Sequence, residues 1–209
     1  MKNIVIYGAG GFGRETSLLL HQINLHSKQW RVIGYCDDGK SEGEKIGDLQ
    51  VLGGMDYLNA FGEELDVVIA IADPVTRETI RKKLVNPKLR FPALIHPSIF
   101  VNENCSIGEG SIICSGVTMT VDVHISSFSI VNLKCTLGHD CLIGDFAALM
   151  PSVNISGNVS IGRGVYIGAG AVLLQGISVG DYSVVGAGAV VNRSFEDKKR
   201  IMGVPARAI

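Results

Sequence analysis

The stretch Lys134–Leu173, KCTLGHDCLIGDFAALMPSVNISGNVSIGRGVYIGAGAVL, counts itself off in sixes. Leu137, Ile143, Leu149, Ile155, Ile161, Ile167 and Leu173 each stand six residues after the last. The same spacing runs back to Ile95 and on to Val191 without an insertion, and every position in the series is Ile, Leu, Val or Met. Four residues after each aliphatic position the side chain is nearly always small or β-branched, as at Cys135, Cys141, Ala147, Val153, Val159 and Val165. A repeat this regular must be read before any single helix or strand. Six residues suit one short strand of a triangular coil. Three such faces make a turn of about 18 residues, with identical positions stacked from coil to coil. The aliphatic series fills the interior and the small residue fits near a corner. Glycine often follows the aliphatic residue, as at Gly138, Gly144, Gly162 and Gly168, and is read as relieving backbone strain there. The pattern also accounts for Cys105, Cys135 and Cys141 as packing residues rather than nucleophiles.

Working back toward the N-terminus, the organisation changes. Ile4–Tyr7 reads as a buried strand, and Gly8, Gly10 and Gly13 then spell GxGxxG ahead of a helical pattern from Phe12 to about Lys28. Val32–Cys36 reads as a second strand ending at Asp37-Asp38-Gly39. This is a β-α-β unit with a phosphate-type glycine turn and acidic residues after the second strand. A strand is predicted over Leu65–Ala72. Asp73-Pro74 follows as a helix start, with the helix running to Leu84 or Val85 and a last strand over Phe91–Ile95. The expected division is residues 1–94 as a small Rossmann-like α/β nucleotide-sugar-binding domain and 95–209 as the repeat domain with a short tail. A nicotinamide or flavin oxidoreductase would need a larger dinucleotide fold and a separate catalytic domain.

Composition narrows the class further. The chain has 209 residues, is 46% hydrophobic and 19% charged, and carries a formal net charge of -1. Such a balance argues against a general nucleic-acid or membrane-surface binder. The run Ile4–Tyr7 is too short for a signal-peptide core, no stretch is long enough to cross a bilayer, and the cysteines form no CxxC pair. A reduced, cytoplasmic protein is expected.

Of the five histidines, His139 stands apart. It follows Gly138 in an outward slot of the repeat, where packing does not explain it, and Asp140 beside it offers a carboxylate to hold the imidazole tautomer. Sequence leaves open whether the two side chains converge. His96 reads as a structural hydrogen-bonding group or part of a substrate pocket, His124 as structural or interfacial, and no metal is expected because no ligands recur at suitable spacing.

These features together resemble the NeuD/PglD-type sugar acyltransferases. The matching segments are Tyr7–Gly13, Asp37-Asp38 with Lys40, Ala70–Pro74, Leu94–Ser98, Gly138–Asp140 and Gly203–Arg207, spread over nearly the whole chain. The resemblance implies a left-handed parallel β-helix, a homotrimer, and acetyl-CoA as cosubstrate. It implies that Gly10, Gly11, Asp37, Asp38 and Lys40 hold the nucleotide part of an amino sugar and that Asn132 faces the sugar. His139 would be the general base with Asp140 its acidic companion, and acetyl-CoA would contact backbone groups around Gly157, Ala169 and Ala187. Three departures stand out: Gly138 where some members have glutamate, Ala148 where many have a second histidine, and Phe12 for a frequent histidine. The implied activity is N-acetylation of a nucleotide-linked 4-amino-4,6-dideoxy sugar in polysaccharide precursor synthesis. O-acetylation of a sialic acid type sugar and a non-catalytic sugar-binding scaffold are the alternatives.

Overall fold

The computed structural model describes residues Met1 to Ile209. The chain opens with β1 (Lys2–Tyr7), α1 (Gly11–His26), β2 (Trp30–Cys36), β3 (Lys45–Ile46) and β4 (Leu49–Gly53). It continues through α2 (Met55–Ala60), β5 (Leu65–Ile69), α3 (Pro74–Lys83) and β6 (Leu89–Arg90). The sheet order is β3-β4-β2-β1-β5-β6, and its pairs are parallel except the β3–β4 hairpin. Ile4, Val5 and Ile6 of β1 are fully buried, as a central parallel strand requires. The chain leaves β1 for β2 on one side and later adds β5 on the other, so a crevice opens at the C-terminal end of β1.

Two glycines of the first turn are demanded by space. Gly8 has φ +104, and a Cβ on Gly13 would lie 1.9 Å from the Gly8 carbonyl oxygen, so α1 packs directly on the turn. Gly10 and Gly11 instead face open space.

Of the predicted last strand, Phe91–Ile95, only Leu94–Ile95 is a strand, and another strand lies just before it in a different sheet. Leu89–Arg90 closes the α/β sheet as β6, and Leu94–Ile95 pairs with Ile112–Ile113. Pro92, which has no N–H to give a ladder, falls between them.

From Leu94 onward the chain is a three-faced parallel β-helix of two-residue strands. Each strand pairs with the one a full coil later, as Thr136–Leu137 does with Asn154–Ile155 and Leu142–Ile143 with Ser160–Ile161. Two faces carry five strands each, and the third runs from Leu94–Ile95 to an antiparallel hairpin, Arg200–Gly203 with Ala206–Ala208. The aliphatic series and the small residues, Cys135 and Cys141 included, form one interior core. Cys105 is only partly buried at its end. Burial pushes the Cys135 thiol up to about 11, which suits packing and not nucleophilic chemistry.

The glycine after the aliphatic residue has a different role from the one expected. The left-handed residue at each corner comes later in the repeat, at Phe128, Lys134, Asp140, Phe146, Ser152 and Asn158, or at Gly164 and Gly170. The early glycines yield instead to the next coil: a Cβ on Gly138 would lie 2.7 Å from the Gly157 nitrogen, and one on Gly168 2.4 Å from that of Ala187.

The α/β unit docks on the face that contains Leu94–Ile95. Leu19, Leu20 and Ile23 of α1 pack with the outward-facing Leu94, Ile112 and Ile130. Along one edge of that face, Phe128 and Phe146 stack with centroids 5.3 Å apart and join the core beneath Leu84, Leu89 and Phe91. Arg77 of α3 is fully buried there. Its Nε donates to the Phe128 carbonyl at 2.8 Å, one terminal nitrogen to Ile71 and Ala72, and the other to Phe146 and Ala147. Burial pulls its pKa down to about 9 against the opposing pull of Asp73, so it enters this interface as a cation at neutral pH.

Glu78, the next residue, is also buried and accepts hydrogen bonds from Arg163 at 2.9 Å, Tyr182 at 3.0 Å and Lys82 at 2.8 Å. Burial alone would raise its pKa, but these donors outweigh it and hold the carboxyl at about 2 rather than 4.5. The stabilisation is therefore fully present above the unfolded-state pKa and is lost as pH falls through about 2. Urea unfolding across acidic pH should show a loss on the order of 3 kcal/mol from this group. Glu78→Gln should flatten that part of the profile, and an unchanged slope would contradict the assignment.

Candidate functional site

The edge between the two undocked faces carries His139. Its side chain is 51% exposed, and Nδ1 lies 2.7 Å from Asp140 Oδ2. The convergence that sequence left open comes from the corner: Asp140 has φ +58, which turns its carboxylate back onto the preceding ring. Asp tolerates this conformation better than most residues. With Nδ1–H donated to Asp140, Nε2 is the ring nitrogen left with a free lone pair to act as a base.

Gly157 stacks one coil below His139. A Cβ there would lie 2.3 Å from His139 Nε2, so only glycine leaves the ring where it is. Gly157 is buried, and its N–H donates to no backbone or side-chain acceptor. A buried donor left free beside an imidazole is the arrangement an oxyanion needs. Gly157→Ala should therefore leave the fold intact and lower turnover by about 10²-fold or more through displaced imidazole and blocked approach. Activity equal to wild type would remove Gly157 from the site.

Ala169 and Ala187 occupy a different edge, exposed and one coil apart, and their N–H groups likewise find no protein acceptor. Asn132 lies near that edge, not beside His139. It is buried, and its Oδ1 accepts from Leu133 N–H at 2.7 Å. The chain thus brings together His139, Asp140 and Gly157, and spreads Asn132, Ala169 and Ala187 over successive coils along another edge.

A second site opens at the C-terminal end of β1. A cavity of about 400 Å³ is lined by Tyr7, Gly8, Asp37, Asp38 and Gly39 on one side and by Ile71 and α3 on the other. Asp37 accepts from the Ala9 and Gly39 N–H groups at 2.8 and 2.9 Å, which ties the glycine turn to the end of β2. Asp38 accepts from the Tyr7 hydroxyl and from Met55 N–H at the start of α2. Burial, followed by the Asp38 contacts, raises the Tyr7 pKa and keeps the phenol protonated. Burial likewise pushes the Cys36 thiol beneath up to about 12. Gly10, Gly11 and Lys40 do not line this cavity, and Lys40 pairs with Glu44. Sequence reasoning missed Tyr7 and the α3 wall of Thr76, Thr79 and Lys83, although the helical spacing of those three places them on one face. A larger cavity, about 710 Å³, lies at the opposite strand ends around Lys2, Trp30 and Asp66 and touches neither set.

A nucleotide-type α/β unit carried on a three-faced β-helix, with an imidazole poised on one edge, defines the class of hexapeptide-repeat transferases. Residues 3–84 match the PglD N-terminal domain, and residues 134–175 and 158–193 match the bacterial transferase hexapeptide repeat. The chain is 32% identical over 173 residues to GDP-perosamine N-acetyltransferase of Escherichia coli O157:H7, covering 82% of this chain and 78% of that one. It belongs to the PglD-type family of sugar acyltransferases. Among solved structures, the acetyltransferase domain of PglB from Neisseria gonorrhoeae, in complex with acetyl coenzyme A, superposes with a TM-score of 0.88 at 27% identity, covering 100% of this chain and 99% of that one. PerB from Caulobacter crescentus, in complex with CoA and GDP-perosamine, gives 0.88 at 27% identity and covers 100% of this chain and 98% of that one.

Proposed function

We propose that the protein transfers an acetyl group from acetyl-CoA to the amine of a nucleotide-linked 4-amino-4,6-dideoxy sugar. The observation that carries this reading is the exposed His139 imidazole, held by Asp140 and lying over Gly157, whose N–H has no protein partner. His139 Nε2 takes a proton from the acceptor amine as that nitrogen bonds to the thioester carbonyl carbon. Gly157 N–H donates to the oxygen as it becomes an oxyanion. When the carbon–sulfur bond breaks, the imidazolium returns the proton to the departing thiolate, leaving an amide and free CoA. No side chain needs to be acylated. The free N–H groups of Ala169 and Ala187 suit amide carbonyls of the pantetheine arm, and the crevice at β1 suits the nucleotide.

Homotrimerisation belongs to the same reading. The α/β unit covers the face opposite the His139 edge, while Asn132, Ala169 and Ala187 lie near another edge. A neighbouring copy brings an Ala169 edge and an acceptor pocket to a His139 edge, and exposed Val121, Leu133 and Leu142 are available to that contact. No helix is long and apolar enough to cross a membrane, and we place the reaction in cytoplasmic synthesis of surface-polysaccharide precursors.

The test is thiol release from acetyl-CoA with UDP-, dTDP- and GDP-linked 4-amino sugars beside free and CMP-linked sialic acid. Turnover with an amino nucleotide sugar supports the reading. Turnover with sialic acid alone would move the activity to O-acetylation, and nucleotide-sugar binding without thiol release would make the chain a scaffold.

A further inference from the structure

Helix α3 has two faces with different duties. Val75, Thr76, Thr79, Ile80 and Lys83 line the cavity at the end of β1. Arg77, Glu78 and Arg81 face the β-helix, where Arg81 lies 4.3 Å over the Phe91 ring and 5.4 Å from the centroid of Phe128. The helix is therefore a wall shared by the cavity and the prism.

The contacts on the prism side are more specific than adhesion requires. Stacked Phe128 and Phe146, with Phe91 against them, already supply apolar contact. Across this surface the Arg163 guanidinium places Nε and one terminal nitrogen 3.3 and 2.9 Å from Glu78 Oε1. Its other terminal nitrogen reaches Asp145 at 2.7 Å, and the group lies 4.8 Å over the Phe146 ring. A planar fork held from three sides fixes rotation and register in a way that rings sliding on rings do not. Arg77 adds a second tie. It grips the carbonyl of Ile71, a residue of the cavity wall, and the carbonyls of Phe146 and Ala147 on the prism edge.

We propose that Glu78, Arg163 and Arg77 are positioning residues for the acceptor. They set where α3, and with it the nucleotide cavity, stands on the prism, and so where the reactive amine arrives at an imidazole. This rests on the function proposed above. The residues touch neither substrate nor the reacting atoms and act through α3. The acceptor is held at its nucleotide and reacts at its sugar, so a small rotation of the docked unit displaces the amine. A misplacement of about 1 Å costs on the order of 10²-fold in rate.

The test compares two acceptors in wild type, Arg163→Ala, Arg163→Lys and Glu78→Gln. One is the nucleotide-linked amino sugar, and the other is the free amino sugar at high concentration, which reaches His139 without the α/β unit. Arg163→Ala should lower kcat for the nucleotide-linked acceptor by about 10- to 100-fold. Its KM for acetyl-CoA, its affinity for the nucleoside diphosphate and the rate with free sugar should stay unchanged. Arg163→Lys should recover part of the loss, and Glu78→Gln should show the same pattern more mildly without removing bulk. Equal loss with both acceptors, or no loss with either, would overturn the proposal. If wild type acetylates no amino sugar, the functional reading falls, and hydrogen exchange decides the coupling. Binding of UDP, dTDP or GDP should slow amide exchange over residues 145–147 in wild type and not in Arg163→Ala. No such slowing in wild type would overturn the coupling as well.

Discussion

His139→Ala is expected to lower acetyl transfer by about 10²- to 10⁴-fold, the usual contribution of a positioned base. Its melting temperature should not move. The side chain is half exposed, and its single side-chain partner is the neighbouring Asp140, so its removal opens no cavity and strands no buried group. Steady-state kinetics beside a thermal melt checks both halves. A variant that keeps wild-type kcat would remove His139 from the chemistry, and one that melts early would make its loss of rate uninformative.

Arg77→Met should have the largest effect on stability, about 2–4 kcal/mol. The substitution keeps an unbranched apolar stem but withdraws the donors from the Phe128 and Phe146 carbonyls inside the interface, whereas the Ala147 carbonyl keeps the Ile130 N–H and those of Ile71 and Ala72 lie where water can reach. Each buried acceptor left without a partner costs about 1–3 kcal/mol, offset in part by the guanidinium desolvation that is no longer needed. The chain's one tryptophan, Trp30, lies in the α/β unit and reports that part alone, whereas far-ultraviolet circular dichroism also reads the β-helix. In urea, wild type should give coincident transitions by the two probes. Arg77→Met should shift the Trp30 transition to lower denaturant and separate it from the other. An unchanged midpoint would show that apolar contact alone holds the two parts together.

The parts of this fold that were legible in the sequence are those that repeat or punctuate. The β-helix announces itself because each coil must place an aliphatic residue at the same three inward positions. The first β-α-β unit was legible because Gly8 and Gly13 are required by contact, one against Ile71 and the other against Gly8 itself. The segment from Lys45 to Ala60 was not read, since β3, β4 and α2 are too short for a period to show. Its one local signal is the Gly47-Asp48 pair between the hairpin partners Ile46 and Leu49. His139 could be picked out by its slot, but its approach to Asp140 depends on a left-handed corner that also falls on Phe128 and Lys134. Nothing in the sequence singles out Arg77 and Glu78. Their partners on the β-helix lie 51 to 104 residues away, and several are carbonyls, which leave no mark in a sequence.

The departures from the family pattern now have a physical setting. Ala148 is fully buried under the docked α/β unit, so a histidine there would face that unit and not the His139 edge of the same chain. Gly138 is held by the backbone of Gly157, which leaves no room for a glutamate side chain in this coil geometry. Phe12 packs against the cluster that joins α1 to the prism. None of the three alters the contact between His139 and Asp140.

The central claim is direct transfer of acetyl to an amine with His139 as base. Nuclear magnetic resonance of the product made from isotope-labelled acetyl-CoA tests it most directly, with wild type and His139→Ala run side by side on matched 4-amino and 4-hydroxy nucleotide sugars. The account predicts a labelled amide on the intact nucleotide sugar, formed by wild type from the amine alone and almost absent in the variant. A labelled ester, label held covalently on the protein, or equal amide formation by the variant would contradict it.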